Sequence, residues 1–194
     1  MTILEALVAM TVLSLLMTSI YLLLIYGLHS RRQSEVYQTV HHQAEIAMQK
    51  LSVELTDSTI PTVSYGATPP HIIFLSLQKT LDQPDRSVYT FAPSGSAQWH
   101  KWVCFYLDES EHNLIRSEID LGGPITLPPT PSPPVLSDFQ TSPSARTVAR
   151  NIVSLEFVPG AGLQTLSLSL TAEAMVNSDK ATSITLNSEV RVRN

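Results

Sequence analysis

The chain has 194 residues, 43% of them apolar and 15% charged, with a formal net charge of −5, a pI near 5.6 and a mean hydropathy of +0.09. That length allows one ordinary globular domain, or a smaller one with an appendage. The acidic balance, with no Lys/Arg cluster beyond Arg31-Arg32, argues against nucleic acid as a partner, and a lone cysteine, Cys104, excludes an internal disulfide and a cysteine zinc site.

The averages conceal an asymmetry at the N-terminus. Of 12 basic and 17 acidic side chains, residues 1–30 hold only Glu5, and 21 of the 28 residues in Met1–Leu28 are apolar. Ala6 to Leu28 is an uncharged run of 23 residues, enough to cross a hydrocarbon core of about 30 Å as a helix. The run exceeds a signal-peptide core, no basic segment precedes it and no small-residue cleavage site follows. A membrane helix is the expectation. Within it, Glu5 has two readings of equal standing. A carboxylate at membrane depth needs a positive partner, whereas one in the headgroup region gains from the helix dipole alone.

The helix is expected to continue past the membrane. No proline occurs before Pro61, and Val36, Val40, Ala44, Ala47, Met48, Leu51 and Leu55 draw one apolar stripe at helical spacing. Arg31, Gln33, Gln38, His42, Gln49 and Glu54 occupy the opposite, polar face. Helix is thus predicted from about residue 2 to about residue 57, roughly 80 Å at 1.5 Å per residue. Three parts follow: an apolar segment over 1–30, its amphipathic continuation over 31–57, and a globular domain over 58–194. The stripe Val40, Ala44, Ala47, Met48, Leu51 and Leu55 must pack on that domain, against side chains such as Val103, Phe105, Leu155 and Leu168.

After Pro61 the apolar period changes from 3.6 to 2. Strands are predicted at His71–Leu77, Ser87–Phe91, Trp99–Leu107, Asn113–Glu118, Ile152–Pro159, Leu163–Ala172 and Thr182–Val192. In the last, Ile184, Leu186, Ser188, Val190 and Val192 alternate with Thr185, Asn187, Glu189, Arg191 and Arg193, which marks an antiparallel strand with one wet face. Asp108–His112 and Glu173–Ala181 are the expected hairpin loops. Residues 122–144 hold seven of the 13 prolines and are expected to form an exposed, extended Pro-rich loop without regular structure. The expected class is α+β, a long N-terminal helix on an antiparallel sheet domain.

No constellation of residues asks for catalysis, a cofactor or a metal. The seven glycines are scattered and form no phosphate loop, and nothing resembles a nucleophile elbow. His29, His41, His42, His71, His100 and His112 lack metal-ligand spacing. Asp82 and Asp85, or Asp108, Glu109 and Glu111, carry calcium-compatible oxygens but read better as solvated loop charge. Cys104, in an alternating strand, reads as a small buried side chain rather than a nucleophile. A non-enzyme with no small-molecule substrate is expected.

Met1-Thr2-Ile3-Leu4-Glu5, followed by some 20 apolar residues and an amphipathic extension, resembles the mature N-terminus of type IV filament subunits, the superfamily of type IV pilins and type II secretion pseudopilins. Its pattern is an aromatic or Met residue first, then a small polar residue, two aliphatics and Glu fifth. The resemblance implies a pilin-like fold. It also implies a basic leader cut just before Met1 by a membrane prepilin peptidase, which methylates the new amine, and a Glu5 that meets a neighbour's N-terminal ammonium in a filament core. Met1, Thr2 and Glu5 would then be the assembly contact. A basic leader would set an N-in, domain-out orientation in the bacterial inner membrane, which Arg31-Arg32 alone would oppose.

Leu22 where major pilins carry a helix-weakening proline, Ser14 where glycine is common, and the lone Cys104 fit minor subunits better. Gln43–Leu55, Phe105–Asp108, Asn113–Arg116 and Val153–Phe157 are similar to segments of J-type minor pseudopilins and W-type minor pilins. The implied partners are other pilin or pseudopilin subunits, the inner-membrane assembly platform, the prepilin peptidase, and the bilayer before assembly. A non-polymerising, single-pass membrane-anchored adhesin or sensor domain is the alternative, and a membrane-anchored hydrolase a weaker third.

Overall fold

The computed structural model describes residues 2–77, 91–127, 131–160, 164–177 and 180–192. Helix α1 runs unbroken from Ile3 to Thr56, and a short 3-10 turn at Ile60–Thr62, with Pro61 inside it, redirects the chain. Every described residue from Thr2 to Glu35 is exposed, so α1 stands clear of the rest of the chain for about 50 Å at 1.5 Å per residue. Val36 makes the first contact, and Val40, Ala44, Ala47, Leu51 and Leu55 are buried, with Met48 partly covered.

Eight strands follow. β1 (Ser64–Ala67), β2 (Pro70–Ser76), β3 (Trp99–Asp108), β4 (Asn113–Ile125) and β5 (Arg146–Arg150) form one antiparallel meander. β6 (Ile152–Pro159), β7 (Thr165–Asn177) and β8 (Lys180–Arg191) form a second. Helix α1 lies against β5, β7 and β8, and its stripe shares one core with Phe74, Val103, Phe105, Leu107 and Leu114 of the first sheet and Leu155, Leu168, Leu170 and Val190 of the second. Strand alternation produces this: Ile72 and Phe74 face the helix, while Ile73 and Leu75 face away. The chain changes sheets at Asn151, whose φ of 62° suits an asparagine, between Arg150 and Ile152.

The outer face of the five-stranded sheet is covered too. Trp99, Trp102, Cys104 and Tyr106 form a second apolar cluster with Phe139, which is fully buried and belongs to a short helix, α2 (Leu136–Gln140). The expectation of an exposed, extended loop over 122–144 without regular structure is therefore corrected in part: most of its described residues are exposed and 131–135 are irregular, but a strand and a short helix enter it. β4 continues through Gly122 and Gly123 to Ile125, and the segment beyond supplies a core side chain and hydrogen bonds. The Ser117 hydroxyl donates to the Phe139 carbonyl at 2.8 Å; the Glu118 N–H donates to the Ser144 hydroxyl at 2.8 Å, which donates back to the Glu118 carbonyl at 2.6 Å. β5 pairs with β4 only up to Arg116, and serine hydroxyls take over where the partner strand ends.

Other differences are local. β1 and β5 are additional to the expected strands. The hairpin between β7 and β8 is tighter than the expected Glu173–Ala181 loop, because pairing continues to Asn177 and Lys180. Of Ser87–Phe91 only Phe91 lies within the described residues, where it makes a single bridge to Ala97. Asp82 and Asp85 lie outside them.

Candidate assembly surface

The apolar half of α1 is long and apolar enough to cross a membrane. Eighteen large hydrophobic side chains between Ile3 and Leu28 are exposed, a contiguous surface far beyond the scattered apolar residues of an ordinary exterior. Its threonine and serine hydroxyls are satisfied within the helix. Thr11 donates to the Val8 carbonyl, Ser14 to Thr11, Thr18 to Ser14 and Ser19 to Leu15, each at 2.8 Å. Such internal bonds let hydroxyls enter hydrocarbon without an unpaired donor. Tyr21 and Tyr26 approach the end of the run, and Arg31 closes an ion pair with Glu35 at 2.8 Å just past it.

At the other end Thr2 is the N-cap. The Thr2 hydroxyl accepts from the Glu5 N–H at 3.4 Å, and a Glu5 carboxylate oxygen accepts from the Thr2 N–H at 2.8 Å. This reciprocal capping box satisfies two orphan donors of the first turn and places the anion at the positive end of the helix dipole. The Thr2-x-x-Glu5 spacing carries that signature in the sequence, where the surrounding apolar run overshadowed it. Among the described residues Glu5 meets no cationic side chain. Met1, the third residue of the expected contact, lies outside them.

The docked half treats charge differently. Glu54, expected on the polar face, instead points to the sheet, and both its oxygens accept from Arg116 Nε, at 2.8 and 3.0 Å. Arg116 Nη1 donates to a Glu118 oxygen at 2.7 Å, and Lys101 Nζ donates to the same atom at 2.8 Å. Lys101 and Arg116 are almost wholly buried. Their placement follows from register: Val103 pairs with Glu118 and Phe105 with Arg116, so Lys101, Arg116 and Glu118 all face α1. Burial alone would raise the Glu118 carboxyl, but hydrogen bonds from Lys101 and Arg116 outweigh it and hold the group below the usual carboxylate range. Burial likewise opposes the Arg116 cation, and Glu54 with Glu118 offsets it, so the guanidinium pKa is raised. Two cations and two anions thus neutralise one another beneath the end of the helix. Sequence spacing carried no sign of it, since Glu54 and Arg116 are 62 positions apart.

Burial pushes the Cys104 thiol up to about 12, which removes the thiolate a nucleophile needs. His41 lies 3.4 Å from Glu45 on the helix surface, and His71 Nδ1 is 2.8 Å from the Pro69 carbonyl. Among the described residues no group of three or more His, Cys, Asp or Glu side chains is placed to hold a metal ion. Comparison with protein-family models, curated proteins and solved structures finds no match to this chain.

Proposed function

We propose that the chain is a structural subunit, of the minor kind, of a type IV pilus or type II secretion pseudopilus, held in the inner membrane before assembly. The observation that carries this reading is the division of α1. One half docks fully on its own domain, while the other projects an apolar surface whose only charge is Glu5. An amphipathic extension that is rigidly docked transmits position from helix to domain, which suits a subunit packed by its helix into a filament. Membrane anchoring alone needs about 20 apolar residues and no acidic residue at the start of the span. In this reading the β-domain lies outside the cytoplasm, no reaction is catalysed, and the subunit primes assembly at the filament tip.

The capping box favours a second reading, a non-polymerising membrane-anchored adhesin or sensor, because it gives Glu5 a local partner. Mass spectrometry of the N-terminal peptide from native membranes separates the two. An N-methylated Met1 is expected for a filament subunit; an unmethylated terminus, or one that begins elsewhere, supports the simple anchor.

A further inference from the structure

On the outer face of the five-stranded sheet, away from α1, the cover provided by residues 131–145 stops short of the β3–β4 hairpin. A groove of about 600 Å³ remains there, between the turn before β2, the hairpin and the end of α2. Tyr106, Ile115 and Pro69 give it an apolar floor, Gln140 closes one side, and Asp108 and Glu109 stand on the hairpin side. Two carboxylates line it and no cationic side chain does; His112, which acts on Asp108, and Arg146 lie outside the lining. Hydrogen bonds from Ser110 to one Asp108 oxygen hold this carboxyl below the usual range and orient it.

Tyr106 supplies the independent observation. The residue as a whole is 5% exposed and lines the groove, and its hydroxyl, open rather than sealed in the core, has no hydrogen-bond partner among the described residues. A phenol that is otherwise buried keeps a polar partner as a rule, so an open one facing a groove marks a place for a ligand's polar group. Burial, then Cys104 and Asp108, push the phenol up, so it remains a neutral O–H.

We infer that this groove docks a basic segment of a partner protein, with an arginine side chain laid across Tyr106 and Pro69. Its aliphatic stem covers the apolar floor while its guanidinium donates to Asp108, Glu109 and the Tyr106 oxygen. Planar, multiply donating cations suit this geometry, and an acidic peptide would face two carboxylates with nothing to answer it. The inference rests on the β-domain alone and stands or falls apart from filament assembly.

The test titrates the full chain, in zwitterionic detergent, into a fluorescent Gly-Arg-Gly-Arg-Gly peptide and follows anisotropy, with Gly-Glu-Gly-Glu-Gly as the control. Saturable binding of the arginine peptide alone is expected. Asp108→Asn with Glu109→Gln, which keeps an oxygen for Ser110, should weaken it about tenfold or more. Tyr106→Phe keeps the ring packed and should weaken it about threefold. Glu173→Gln with Glu189→Gln removes the same charge from the other sheet and should leave binding unchanged. Equal loss in both double variants would mean general attraction to an acidic chain and would overturn the inference, as would absence of saturable binding or indifference to Tyr106→Phe.

Discussion

Between Val36 and Leu55 the sheets cover the apolar stripe of α1, and Glu54 meets Arg116 at 2.8 Å. Between Ile3 and Leu28 the large apolar residues are exposed, and among the described residues the carboxylate of Glu5 meets only the N–H of its own cap. One continuous helix therefore holds a half covered by its own chain and a half that the described residues leave uncovered. The difference shows which part of the helix the fold of the chain itself accounts for. The docked half is fixed when the chain folds, whereas the projecting half keeps an exposed apolar surface long enough to cross a membrane.

Breaking the docked half should have the largest effect. Leu51→Asp places an unpaired charge in the shared core and should cost more than about 4 kcal/mol, read as loss of cooperative unfolding by the fluorescence of Trp99 and Trp102, both in the β-domain. Next comes Arg116→Met, which leaves Glu54 and Glu118 without their shared cation and should cost about 3–5 kcal/mol. Neutralising all four members together, with Lys101→Met, Glu54→Gln and Glu118→Gln added, should recover much of that loss, since the network's attraction mainly offsets desolvation. A quadruple variant no more stable than Arg116→Met would contradict this account of the cluster.

Acid should expose the same cluster more gently. The Glu118 carboxyl is lowered in the folded chain, so its contribution is present above the unfolded value near 4.3 and is lost as pH falls through the folded one. The melting temperature should therefore drop on acidification from pH 5 to pH 3, and less steeply in Glu118→Gln. Equal slopes would remove Glu118 from the explanation. Smallest of all should be Leu16→Ala in the projecting half, below about 0.5 kcal/mol on domain unfolding, against about 2–5 kcal/mol for Leu51→Ala. A comparable loss at both sites would mean that the halves are not independent.

These contrasts also mark what the residues alone could reveal. The helix on antiparallel sheets was legible because 3.6- and 2-residue periods are properties of short windows, as in Val36–Leu55 and Ile184–Val192. β1 and β5 escaped notice because Ser64-Tyr65-Gly66-Ala67 and Arg146-Thr147-Val148-Ala149-Arg150 are too short for alternation to stand out and are held by their neighbours in the sheet. Prolines around it masked Phe139, whose burial depends on Trp102 and Tyr106 from a distant strand. The Glu54–Arg116 pair joins helix to sheet and has no local signature at all, while the capping box at Thr2 and Glu5 does.

In the proposed function Glu5 serves association rather than anchoring. In a strain carrying Glu5→Ala, the variant should enter membranes as the wild type does, by alkaline extraction, yet pull down neighbouring filament subunits at least about tenfold less well, the loss expected when a buried charge pair is broken. Undiminished co-purification of those subunits with the Glu5→Ala chain would contradict the account and leave the N-terminal helix as an anchor.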